Sequence, residues 1–270
     1  MNTSIARKTA VSLIAFGVLL LAARLGHAAG YAITTLPSPS ATQRVEVFEI
    51  NNAGQVAAGF RDRDSVSGSE QAFVWQGGSH KLLSGPAGAL GATALGVANS
   101  GVVVGTYYTT LICDGLGNLT PGDERGFVLD PGVYSTVELP GYRYTQLRGV
   151  SPDGRYVSGY ASANDGASPG FLLDRVSGTF TTLSIATNSL TVPQGISGNG
   201  LVVGSDIVTY RRAGFVYNPA TGARIVTQIP GYTSTAFRDI DESGNRVGWL
   251  ASNDAGGTQR RIGFIGTPSA

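Results

Sequence analysis

The sequence predicts an all-β fold: a five-bladed β-propeller of four-stranded antiparallel blades. Three observations lead there. A strand–turn–strand motif occurs five times in 270 residues. Each copy continues into two further strand-like runs, so one unit holds four strands, which is the arithmetic of a propeller blade. The composition suits short strands joined by tight turns: 39 residues are Gly, only 14% are charged, and there is a single Met.

The motif is clearest in Arg148-Gly149-Val150-Ser151-Pro152-Asp153-Gly154-Arg155-Tyr156-Val157-Ser158-Gly159-Tyr160. A Pro-Asp-Gly turn separates two β-branched or aromatic runs. The copies are Phe48 to Phe60, Leu95 to Thr106, Arg148 to Tyr160, Gln194 to Ser205 and Arg238 to Trp249. The turn glycine recurs as Gly54, Gly101, Gly154, Gly200 and Gly244, a place that suits positive φ. The glycine closing the second strand recurs as Gly59, Gly105, Gly159, Gly204 and Gly248, where close sheet packing leaves no room for a side chain. A third strand is marked by Phe73, Phe127, Phe171, Phe215 and Phe264, which sets a period of 44 to 54 residues. In the third copy the four strands are expected at 146–151, 155–162, 170–174 and 179–184. The long second copy carries an insertion at about 109–124.

The ends of the chain suggest how the ring closes. The fifth copy stops after its third strand, at Gly266. The segment 31–37 is left over and resembles the fourth-strand endings Val137-Glu138-Leu139-Pro140 and Thr227-Gln228-Ile229-Pro230. It is expected to complete the last blade, removing exposed sheet edges. Repeats then span about 45–90, 91–141, 142–186, 187–231 and 232–266, in one domain over 29–270. Residues 1–28 read as a secretory signal peptide. Arg7 and Lys8 precede an apolar run from Ala10 to Ala23, too short for a membrane span, and Gly26-His27-Ala28 offers small residues for cleavage after Ala28. The cleaved chain is near neutral, has no membrane span, and is expected to be secreted, periplasmic or extracellular, as a monomer.

The runs Ile50-Asn51-Asn52-Ala53-Gly54-Gln55-Val56 and Gln71-Ala72-Phe73-Val74-Trp75 resemble the extracellular HAF repeat family, named for its His-Ala-Phe tripeptide. The likeness covers nearly the whole chain after the leader. No copy here has His at the first position: Gln71, Arg125, Pro169 and Ala213 stand there in four of them, and Ala becomes Gly in four. The resemblance implies an exported propeller-like repeat protein and assigns neither an activity nor catalytic residues.

The residues exclude several chemistries. The near-zero formal charge gives no reason to expect nucleic acid. One Cys, Cys113, excludes a disulfide framework and reads as an unpaired loop thiol. One His after the leader, His80, excludes a multi-histidine zinc site and reads as a solvated turn residue. No nucleophile elbow or phosphate loop occurs. The insertion, with Asp114, Asn118, Asp123 and Glu124, is rich in oxygen ligands but lacks EF-hand spacing, so no metal or cofactor is expected. Asp130, Asp174 and Asn218 recur at the end of the third strand, which points to turn chemistry.

Stacking the first strands isolates a set that does not repeat. Two places before the recurrent Ile or Val stand Phe48, Leu95, Arg148, Gln194 and Arg238; one place before it stand Glu49, Gly96, Gly149, Gly195 and Asp239. First strands line a propeller's channel, so Glu49, Arg148, Gln194, Arg238 and Asp239 are expected to converge at one mouth. Those carboxylates would either pair with the arginines to fasten the closing blades or do acid–base work. Phe60, Tyr160 and Trp249 are expected between blades, and Tyr107, Tyr108, Tyr142, Tyr144 and Tyr232 nearer the surface. The resulting expectation is a non-enzymatic binding module for a glycan or protein at a propeller face. A glycan hydrolase using the axial carboxylates, or a structural cell-surface protein, are the alternatives.

Overall fold

A computed structural model describes residues 35–38, 43–62, 70–113, 119–163, 168–184, 190–208, 211–253 and 259–267. Two compact units divide the chain, Met1–Pro37 and Ser38–Ala270. In the first, residues 35–37 carry no regular secondary structure, and the rest of the expected closing strand, with the leader, lies outside the described residues. The second unit is a five-bladed β-propeller.

Blade 1 comprises β1 (Gln43–Ile50), β2 (Val56–Asp62), β3 (Gln71–Gln76) and β4 (Ser79–Leu82). Blade 2 begins with β5 (Gly91–Val97) and β6 (Val103–Tyr108). A separate hairpin follows, β7 (Leu111–Cys113) and β8 (Leu119–Pro121), and then β9 (Arg125–Asp130) and β10 (Val133–Val137) complete the blade. Blade 3 holds β11 (Tyr144–Val150), β12 (Tyr156–Ser162), β13 (Gly170–Asp174) and β14 (Thr179–Thr182). Blade 4 holds β15 (Leu190–Ile196), β16 (Val202–Val208), β17 (Arg211–Tyr217) and β18 (Arg224–Thr227). Blade 5 shows three strands among the described residues: β19 (Ser234–Ile240), β20 (Arg246–Asn253) and β21 (Gln259–Gly266). All pairing within blades is antiparallel.

One contact explains the repeated Gly and Phe. Gly105, Gly159, Gly204 and Gly248 stand opposite Phe127, Phe171, Phe215 and Phe264. A Cβ on any of them would overlap a carbonyl oxygen of the first strand and reach the phenylalanine ring at 2.8, 2.9, 2.9 and 3.0 Å. The ring therefore lies flush on bare backbone. Blade 1 differs: Phe73 stands opposite Ala58, and the ring of Phe60 stacks on it at 4.2 Å. The turn glycines adopt φ from 73 to 87°, each closing an i to i+3 backbone hydrogen bond.

Apolar clusters join consecutive blades. One links blades 1 and 2 through Ala57, Val74, Val97 and Phe127. Others link blades 2 and 3 through Val104, Leu147 and Val157, blades 3 and 4 through Leu172 and Ile196, and blades 4 and 5 through Val203 and Phe237. The seam between blades 5 and 1 is different. Val97, Val150, Ile196 and Ile240 are 2, 2, 5 and 5% exposed, whereas their counterpart Ile50 is 65% exposed. Ile265 and Val247 are likewise exposed, although Val74, Val128 and Leu172, which match Ile265, are buried. The first and last blades thus leave an apolar cleft.

Three expectations need correction. Tyr107 and Tyr108 are buried, because β6 continues through them; Tyr108 lies over Gly91, where any Cβ would overlap its hydroxyl. His80 sits in β4 opposite Trp75, with its ring edge-on to Phe60 and Phe73 at 5.3 and 4.9 Å, so it is not a solvated turn residue. Asp130 makes an ion pair with Arg175 of the next blade at 2.5 Å, while Asp174 and Asn218 accept backbone N–H groups two residues on, as turn residues do.

The seam yields a direct comparison of one residue type at one repeat position. Ile196→Ala is expected to cost about 2–5 kcal/mol, and Ile50→Ala about 0.5 kcal/mol or less. Urea unfolding of both variants measures this, and equal costs would mean that the seam is closed in solution.

Candidate functional site

Each first strand contains a β-bulge, and the bulges build the site. Register skips between Val47 and Glu49, Ala94 and Gly96, Leu147 and Gly149, Pro193 and Ile196, and Phe237 and Asp239. The skipped residues are Phe48, Leu95, Arg148, Gln194 with Gly195, and Arg238. A bulge adds a residue that pairs with nothing and re-aims its side chain. Here all five bulges turn toward the axis. The glycines beside them let the blades approach: a Cβ on Gly149 would overlap the Gln194 carbonyl, and one on Gly96 would lie 2.7 Å from Glu49 Oε2.

Glu49, Arg148, Gln194, Arg238 and Asp239 line one cavity of about 630 Å³, together with Phe48. A second cavity of about 750 Å³ lies on the turn side, lined by Asn51, Asp241, Glu242 and Asn245. Glu49, Ile50, Asp239 and Val247 belong to both. The two carboxylates thus form a waist between an arginine-bearing mouth and an acidic one.

At this waist Glu49 is half-buried and Asp239 is exposed along the channel. Burial pushes the Glu49 carboxyl up to about 8, the neighbouring Asp239 charge adds to this, and the Val97 N–H, donated at 3.2 Å, opposes it. Burial also raises Asp239, against the N–H of Ile240 at 2.8 Å and with the help of Asp241. Both carboxyls are thus pushed toward the neutral form, Glu49 to about 8. Among the described residues neither carboxylate is ion-paired to an arginine, so the axial charges do not fasten the ring.

The arginine mouth extends beyond the first strands. Burial, then Arg148 and Arg261, hold Arg238 below its usual value; burial, then Arg238, Arg261 and Arg148, do the same to Arg212. Arg212 and Arg261 lie over the Trp249 ring at 5.6 and 4.6 Å, and Arg148 lies over Tyr160 at 5.5 Å. Gln146 Oε1 accepts from Arg148 Nη2 and from the Tyr160 hydroxyl, both at 2.8 Å. Tyr160 and Trp249 thus face the mouth's arginines, while only Phe60 is core. The repeat carried a signal for the added arginines: three places before the third-strand Phe stand Glu70, Glu124, Ser168, Arg212 and Arg261.

Among its described residues the insertion holds no comparable arrangement, and Asp114 and Asn118 lie outside them. Asp123 is buried enough to raise it, but Thr109 and Thr110 each donate a backbone N–H and a hydroxyl, holding it at about 2. Its lone pairs are committed to the turn. Cys113 ends β7 and is exposed. Among the described residues no group of three metal-ligating side chains occurs.

The fold and its axial cavities define a propeller with a lined central channel, an architecture consistent with a binding or interaction module. No protein-family model and no curated protein matches the sequence. Solved structures do. TolB from Acinetobacter baumannii is similar with a TM-score of 0.54 and 13% identity, over 80% of this chain and 53% of that one. A putative TolB from Agrobacterium tumefaciens gives 0.54 and 12%, over 83% of each chain. The chain thus spans about half the length of the first and most of the second, and at such identity the likeness is one of fold.

Glu49 makes stability depend on pH. The unfolded carboxyl releases its proton near 4.5 and the folded one near 8, so the folded state holds the extra proton between them and stability falls as pH rises through that window. Glu49→Gln removes the penalty. Its unfolding midpoint should match wild type at pH 4 and exceed it at pH 9 by on the order of 2 kcal/mol, the channel water reducing the full effect. A gain that is the same at both pH values would sink this account.

Proposed function

We propose that the protein is an exported binding module that takes a glycan or protein ligand at the arginine-bearing mouth of its propeller. The supporting observation is the ring of bulges. Five equivalent positions carry Phe48, Leu95, Arg148, Gln194 and Arg238, and the backbone aims all five into one cavity. A purely structural ring would repeat one residue there, as the second-strand glycine does. The volume of about 630 Å³ is of ligand size. Export rests on the basic, apolar and small-residue regions of 1–28, and the HAF-like repeats agree with an extracellular or periplasmic monomer. Among the described residues no helix is long and apolar enough to cross a membrane.

One observation favours a second reading, a glycan hydrolase. Burial and the neighbouring Asp239 push Glu49 up to about 8, and a carboxyl raised beside a second one suits general acid with base or nucleophile. Glu49 would then protonate the leaving oxygen.

A glycan and peptide array probed with the purified chain tests the first reading. Ligand signal should fall at least about ten-fold in Arg238→Ala, and Glu49→Ala and Asp239→Ala should reduce it less. Reducing-sugar release from the bound glycan separates the second reading: turnover abolished in Glu49→Gln with binding kept supports hydrolysis, and no release by wild type dismisses it. Silence across the array overturns the module itself.

A further inference from the structure

Four guanidinium groups lie close together at one mouth, and for three of them the described residues supply no answering carboxylate. Arg148 comes from blade 3, Arg212 from blade 4, and Arg238 and Arg261 from blade 5. Among the described residues, Arg148, Arg212 and Arg238 have no carboxylate within ion-pair distance. Arg148 Nε is buried and donates to nothing. The nearest carboxylates of the same face are engaged elsewhere: Glu70 accepts from the Thr93 hydroxyl at 2.9 Å, and Glu124 accepts from the Gln146 amide. Charges on one side of the mouth are thus answered, and those on the other are held together by aromatic rings.

Resting on the binding reading above, we infer that the ligand is an acidic oligosaccharide, whose carboxylate or sulfate groups are received by Arg148, Arg212, Arg238 and Arg261. An anion offers each guanidinium a partner of matching planar geometry and relieves the repulsion that lowers Arg212 and Arg238. Arg148 and Arg238 in the cavity of about 630 Å³, with Arg212 and Arg261 near them, fit a chain of repeated charges better than one phosphate. The remaining polar lining suits hydroxyl groups: Gln194 lies in the cavity and Gln146 beside it. Partly exposed Tyr160 and Trp249 supply flat rings within the same cluster, the surfaces that sugar rings need.

Calorimetric titration of the purified chain with tetragalacturonate, its methyl ester, a heparin-derived tetrasaccharide and tetraglutamate tests this. At least one acidic saccharide should bind about ten-fold or more tightly than the uncharged ester. That preference should weaken in 0.5 M salt. Arg148→Gln with Arg238→Gln should reduce it to near one, and Arg212→Gln alone several-fold, with circular dichroism confirming that each variant is folded. Equal binding of acid and ester, or a preference that survives the double substitution, overturns the inference while leaving a binding module in place. Tighter binding of tetraglutamate assigns the mouth to an acidic peptide and overturns the saccharide. If neither acidic saccharide binds, the inference falls; if the glycan and peptide array is also silent, the module reading falls with it.

Discussion

The structure depends on a phenylalanine ring lying on a glycine. In four blades the third-strand ring covers the second-strand glycine, whose missing side chain leaves space for it and for the first-strand carbonyl beyond. Phe127, Phe171 and Phe215 are fully buried as a result. The contact fixes register, since a slip of one residue would place a Cβ into a carbonyl oxygen and turn every side chain to the other face. Four of the five units are thereby held in register without a disulfide.

With register fixed at the second and third strands, the first strand is free to bulge. Each blade uses that freedom in the same way and with a different residue. A bulge costs a little pairing, yet it recurs in all five first strands. The backbone supplies five equivalent positions at the axis and the sequence fills each separately. Arg148 and Arg238 make the mouth cationic, Glu49 and Asp239 occupy the waist, and Gly96, Gly149 and Gly195 let the strands come close enough to enclose both.

Gly159 and Phe171 were legible because they answer a backbone demand, and such demands repeat. Arg148, Gln194 and Arg238 were legible for the opposite reason, as departures at a repeated position, although nothing in the residues announced a bulge. Alternation of side chains alone would have sent some of them away from the channel. Arg212 and Arg261 were missed because only first strands were stacked, while both enter from the start of the third strand and reach the mouth over Trp249. The burial of Tyr108 depends on Gly91, seventeen residues earlier, whose role becomes visible only once the strands pair. The open seam at Ile50 and Ile265 had no signal at all, since both residues are of the type that the buried positions use.

The two mouths of the channel follow from where the repeat relaxes. On the turn side, the turn residues must serve the backbone, so Asp241 receives N–H groups from its own loop, including Asn245 at 2.8 Å, and its charge is answered locally. On the other side the bulge residues have no backbone duty, and among the described residues Arg148 and Arg238 are ion-paired to no carboxylate. Glu49 lies between, its carboxyl pushed up to about 8, which reduces the negative charge at the waist. An anion entering from the arginine side would meet attraction first and the Asp239 charge only at depth. The charge along the channel therefore runs from cationic at the arginine mouth to acidic at the turn side.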